Sequence, residues 1–150
     1  MSFSIVLNSS LGTQVSSGNN SIISYNISWD AVPDWQGKYK VGMSFITRQN
    51  DTTANSVGLV TVNWGAVHNC YTATAANGTA NNSVLGYVRP AIIGTAQQLY
   101  SDFLTNSPVI IQQKPKNNIF SVTFLNTDGT LFSSLTGIYF LTIYFDALSE

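Results

Sequence analysis

Tyr39-Lys40-Val41-Gly42-Met43-Ser44-Phe45 decides how this chain folds. Successive side chains of an extended backbone point to opposite faces, so Tyr39, Val41, Met43 and Phe45 share one side and Lys40, Gly42 and Ser44 the other. One dry face and one wet face describe a half-buried strand of an antiparallel sheet. The same period recurs upstream. Ile23, Tyr25, Ile27 and Trp29 alternate with Ser24, Asn26 and Ser28, between a polar turn at 16–20 and a break at Pro33-Asp34. Nearer the start, Phe3, Ile5 and Leu7 alternate with Ser4 and Asn8.

Downstream of a polar loop at 49–56, Val60, Val62 and Trp64 alternate with Thr61 and Asn63, and residues 66–73 are a candidate further strand. The small polar residues of 74–82 read as a long loop. Strand character resumes over 84–93, through Pro90. The stretch 94–107 fits either a short helix or an irregular strand. Residues 108–113 and 119–126 form two more strands around Lys114-Pro115-Lys116-Asn117-Asn118, and Asp128-Gly129 signals a turn.

The last strand, 137–146, departs from the pattern. Tyr139, Leu141, Ile143 and Phe145 form one apolar face, but Ile138, Phe140 and Tyr144 make the opposite face apolar too, with only Thr142 polar. Such a strand needs cover on both sides, from the chain's own loops or from a subunit contact. Ile138, Phe140 and Tyr144 are therefore the candidate interface. Eight or nine strands without a helix-period segment or internal repeat predict an all-β sandwich or barrel, in one domain over 1–150. Periodicity alone does not choose among immunoglobulin-like, jelly-roll and tumour-necrosis-factor-like topologies, although the long loops favour Greek-key connections.

Composition narrows the function classes. Of 150 residues only 9 % are charged, and the net charge is −1. The six basic residues are scattered, which disfavours direct binding to nucleic acid or to an anionic membrane surface. Low charge also removes the self-repulsion that keeps molecules apart, so the chain is expected to homo-oligomerise. Cys70 is the one cysteine and His68 the one histidine, leaving no internal disulfide and no cysteine-based zinc site. MSFSIVLNSS has no basic and apolar leader pattern, and no run approaches the ~18 apolar residues of a membrane helix. The expectation is assembly inside a cell, with no signal peptide, no transmembrane segment, and sequons such as Asn26-Ile27-Ser28 unmodified.

Catalytic patterns are sparse. His68 and Cys70, two apart, share a face if that segment is a strand, but no orienting carboxylate lies nearby in sequence. The acidic residues Asp30, Asp34, Asp51, Asp102, Asp128, Asp146 and Glu150 fall mainly at turns and strand ends, where Asp is a turn former. Asn126, Asp128 and the carbonyls near Gly129 are the nearest thing to a calcium site, without the spacing of a calcium loop. No catalytic residue, metal ligand or cofactor is expected. Trp29 and Trp64 are in phase with core positions. Trp35, in Pro33-Asp34-Trp35-Gln36-Gly37, is the candidate loop aromatic for stacking on a sugar or, alternatively, for folding back to cap the sandwich; Tyr71 and Tyr100 are lesser candidates.

Three segments carry a resemblance. Tyr39-Lys40-Val41 with Phe45, then Pro115, Asn118, Phe120 and Val122 leading to Asn126, Asp128 and Gly129, and the closing Tyr139, Leu141, Ile143 and Phe145 resemble the small single jelly-roll minor capsid proteins of large icosahedral double-stranded DNA viruses and their virophage-like relatives. The resemblance is a loose pattern over most of the chain. It implies a single jelly-roll β-sandwich of about eight antiparallel strands, located in the capsid shell of a virion. Its partners would be other capsid proteins, including a major capsid protein, and there would be no catalysis. The alternative from the residues is a carbohydrate- or receptor-binding sandwich, such as a fibre head or a lectin-like domain.

Overall fold

A computed structural model describes residues 2–16, 19–32, 35, 37–47, 57–66, 83–93, 96–101, 109–126, 128–132, 135 and 137–148. The strands are β1 (Phe3–Asn8), β2 (Thr13–Ser16), β3 (Asn19–Asn26), β4 (Tyr39–Thr47), β5 (Gly58–Val62), β6 (Ser83–Ile93), β7 (Ala96–Ser101), β8 (Val109–Ile111), β9 (Ile119–Asn126) and β10 (Tyr139–Ala147). Short 3-10 turns at Ser9–Leu11 and Trp29–Ala31 are the only helical elements among the described residues.

The strands pair antiparallel in the order β1-β10-β4-β7-β6-β5-β9-β3-β2, with β8 also on β4. β4 carries β10 on one flank; on the other, β7 takes Phe45 and Ile46 while β8 takes Tyr39 to Val41. The first sheet is thus β1-β10-β4 with β7 and β8 sharing one position, and the second is β2-β3-β9-β5-β6. β6 belongs to both. Its first half pairs with β5 as far as Val88, and Arg89 to Ile93 pair with β7. Pro90 stands just past the point where β6 leaves β5, where one flank of the strand has no partner among the described strands and a missing N–H is tolerated. With first and last strands adjacent and the sheets interleaved in chain order, this is the jelly roll.

The core follows from the alternation. Val41, Met43 and Phe45 of β4 and Leu141, Ile143 and Phe145 of β10 face Ile23 and Tyr25 of β3 and Phe120, Val122 and Phe124 of β9, all buried. One end is aromatic. Trp29 sits edge-on to Trp64 at 5.7 Å and to Phe145 at 6.2 Å, with Phe120 at 6.2 Å. A polar tie crosses the core, where the Tyr25 hydroxyl donates to the Tyr139 hydroxyl at 2.8 Å. Buried polar side chains elsewhere extend the ladder. The Thr47 hydroxyl accepts from Leu99 N–H at 2.9 Å, and the Ser9 hydroxyl from Tyr139 N–H at 2.9 Å.

Several boundaries differ from the sequence reading. The alternation through Ile27 and Trp29 does not continue β3, which ends at Asn26; Trp29 is buried from a 3-10 turn, its indole N–H donating to Asn117 O at 3.0 Å. Trp64 likewise lies beyond β5 yet is fully buried. β2 was not anticipated, and the segment read as helix or irregular strand contains the regular strand β7. The candidate strand at 66–73 falls, apart from Ala66, outside the described residues, as do the loops at 49–56 and 74–82.

Two glycines are dictated by geometry. Gly129 has φ +86° in the turn after β9, where its N–H donates to Asn126 O at 2.9 Å. At Gly12 a Cβ would run into the Ile23 side chain and lie 2.8 Å from Tyr25 Cε1. That close approach lets the chain pass from β1 in one sheet to β2 in the other over the 3-10 turn at Ser9–Leu11.

Candidate functional site

β10 lies between β1 and β4, so its odd residues fill the core and its even residues face outward. Phe140 is 39 % exposed, while Ile138 and Tyr144 are half-buried. Register places neighbours beside them. Phe140 is opposite Ile46 of β4, Ile46 is opposite Tyr100 of β7, and Tyr100 is opposite Arg89 of β6. Ile46 is 46 % exposed, and the Arg89 guanidinium lies 5.5 Å from the centroid of the Tyr100 ring. Tyr144 stands between Ser4 and Gly42, and Val6 is opposite Thr142, diagonal to Phe140. The result is an apolar row crossing β10, β4 and β7, bounded at one end by Asn8 of β1, opposite Phe140, and at the other by Arg89 of β6.

Sequence reasoning found the β10 members of this row and missed Ile46 and Tyr100. Ile46 could have been found, because it follows Phe45 where the alternation calls for a polar residue. Tyr100, considered as a loop aromatic, is instead a strand residue within the row. Such a surface does no covalent chemistry; it binds by removing flat apolar area from water, at about 25 cal/mol per Å².

Trp35 does not stand out in solvent. Its half-buried ring packs against the core, 4.4 Å from the Tyr39 ring and edge-on to Phe145 at 5.9 Å, and its N–H donates to Gly37 O at 3.1 Å. That is the capping arrangement, closing the aromatic end of the sandwich. The candidate calcium turn is occupied by its own hydrogen bonds. Asp128 Oδ1 accepts from Thr130 Oγ1 at 2.6 Å and Thr130 N–H at 3.0 Å, which lowers the Asp128 pKa, and the Asn126 amide donates to Thr130 Oγ1 and Leu131 O. Asp30 is likewise lowered by a hydrogen bond and ion pair with Lys114 at 2.7 Å.

His68, Cys70, Tyr71, Asp34, Asp51, Asp102 and Glu150 lie outside the described residues. Among the described residues no three His, Cys, Asp or Glu side chains gather where they could hold a metal ion, and no helix is long and apolar enough to cross a membrane. No protein-family model matches the chain, and no curated protein matches its sequence.

Proposed function

We propose that this protein is a structural component of a virion, a minor capsid protein that packs with itself and with a major capsid protein to build or brace an icosahedral shell. The observation that carries the reading is the apolar row of Phe140, Ile46 and Tyr100 on the outer face of a jelly roll whose inward side chains are buried. Jelly rolls serve capsids, lectins and cupins. A shell protein needs only shape and apolar area to hold its neighbours, and this face offers both. The lectin-like alternative drew on Trp35, whose ring is engaged with Tyr39 and Phe145.

Co-expression with a major capsid protein of such a virus, followed by sedimentation of assembled shells, tests the reading. The expected result is co-sedimentation of the wild-type chain and its loss in Phe140→Asp. A chain that stays in the supernatant at every stoichiometry, while binding one sugar class on a glycan array in a manner lost with Trp35→Ala, would replace this reading with the carbohydrate-binding one.

A further inference from the structure

Among the described strands the sandwich is closed on one side, where β6 runs through both sheets, and open on the other, where β1 and β2 end the pairing order. The groups on the free flank of β1 follow from the hydrogen bonds of β10. Tyr139 N–H donates to Ser9 Oγ and Ala147 N–H to Ser2 Oγ, both toward the β1 side, whereas Leu148 N–H donates to Lys38 O on the β4 side. Backbone polar groups alternate sides along a strand, so the odd residues of β10 address β1. Their register partners Phe3, Ile5 and Leu7 use their own N–H and C=O on β10. The backbone groups of Ser4 and Val6 and the N–H of Asn8 therefore point away from the sheet, along a flank with no neighbour among the described strands, while the Asn8 carbonyl opens the 3-10 turn at Ser9–Leu11.

Edges of this kind are usually blunted by Lys, Pro, a bulge or an inward charge. This one has none of them. The β1–β10 register is unbroken, and no Asp, Glu, Lys or Arg occurs anywhere before Asp30. Exposed apolar side chains instead gather along the open side: Val6 at 65 %, Leu11 at 84 % and Val15 at 59 %.

We infer that a second copy of this chain docks here, β1 against β1 in antiparallel register about a two-fold axis, joining the two first sheets into one. The self-complementarity of the edge selects the occupant. A two-fold contact sets a surface against itself, and an uncharged edge meets its own copy without repulsion. A two-fold at Val6 sets Val6 against Val6, each donating its N–H to the other's carbonyl, and Ser4 against Asn8, whose N–H donates to the Ser4 carbonyl. Leu11 and Val15 lie alongside, on the linking turn and on the edge of the second sheet. The inference refines the self-association proposed above and can fail without it.

Light scattering on the full-length chain over a concentration series, with hydrogen exchange at both ends of the series, tests it. A dimer is expected, in which the Val6 and Asn8 amides become protected as concentration rises while those of Ile5 and Leu7 are protected throughout. Val6→Pro removes a donor from the free flank and none from the β10 ladder, so it should raise the dissociation constant at least tenfold with a far-UV spectrum unchanged. Should Val6→Pro fail to fold, Val6→Lys, which sets two cations against each other, decides on the same measurement. A monomer at all concentrations would overturn the inference and leave the edge to a strand from a different chain. A dimer with unprotected Val6 and Asn8 amides would overturn it too. So would a dimer broken by Phe140→Asp but not by either Val6 variant, which would leave the capsid reading standing on the outer face alone.

Discussion

The two outer faces of the sandwich come from the same alternation and yet differ in kind. On the first sheet, Phe140, Ile46 and Tyr100 lie in a row between Asn8 and Arg89. On the second, the centre of the face is a band of hydroxyls that bond to one another and to the sheet. Ser24 Oγ and Ser121 Oγ are 3.1 Å apart, and Thr61 Oγ1 donates to Thr123 O at 3.1 Å; beside this band Tyr87, 61 % exposed, Leu59 and Leu125 stand in register, with Leu131 bridged to Leu125 and Ile119 exposed at the margin. A band that satisfies its own polar groups has little to offer a partner, while unburied aromatic and aliphatic side chains still have free energy to release. Each outer face thus carries an apolar row, and what sets the two apart is the self-satisfied hydroxyl band that lies beside the second.

The sharpest way to break this comparison is to place one charge on each face. Phe140→Asp should weaken self-association or shell incorporation at least tenfold, and Thr123→Asp, opposite Ile22 on the other sheet, should leave both unchanged. If the two act alike in light scattering and sedimentation, the faces are equivalent and the distinction fails.

The next largest effect lies between the sheets, at the phenol pair that holds the two faces in one relation. Tyr139→Phe removes the acceptor and strands the buried Tyr25 hydroxyl, a loss of roughly 1–3 kcal/mol in denaturant unfolding. Converting both tyrosines to Phe should recover part of that loss, which a double-mutant cycle measures. The pair also sets an alkaline limit. Burial pushes the Tyr25 pKa up from 10.0 to about 12 and raises that of Tyr139 as well. The unfolded chain then gives up these protons before the folded one does. Stability is complete below pH 10 and should fall as pH rises from about 10 towards 12, and the Phe–Phe variant should flatten that fall.

Smaller effects sharpen the contrast from the polar side. Replacing Ser24 and Ser121 together by Ala should cost no more than about 1 kcal/mol and leave association untouched. Lys114→Ala, which removes an exposed ion pair with Asp30, should move the thermal midpoint by no more than about 1 °C.

How far these faces were legible in the sequence depends on which side of a strand the information lies. β4 and β10 were readable because each buries one complete face, so their odd residues repeat without interruption. The second apolar set on β10 gave away half of the row. Ile46 breaks the alternation of its own strand, but its place against Phe140, and that of Tyr100 against it, is set by register, and pairing between strands distant in sequence leaves no local periodic trace. β2 stayed hidden because Thr13, Gln14 and Val15 are all exposed, so its edge position imposes no alternation. β7 was obscured by Gln97 and Gln98, the second of which donates to Thr47 O at 2.7 Å rather than facing water alone. At Trp29 the inference was right about burial and wrong about backbone, since a 3-10 turn can deliver an indole to the core as well as a strand does. Trp35 was read from its loop position, whereas the Phe3, Tyr39 and Phe145 rings that receive it come from three separate strands.

The position of β10 between β1 and β4 also fixes when the molecule can become itself. Strands made early wait for one made late, because the first sheet cannot close until the segment around Ala147 has left the ribosome. Contacts this distant in sequence form slowly, and the unfinished chain must stay soluble meanwhile. The same delay acts as a timer. The row through Phe140 does not exist as a surface until synthesis has passed it, whereas the strands that carry Tyr87, Leu59 and Leu125 are made before β10.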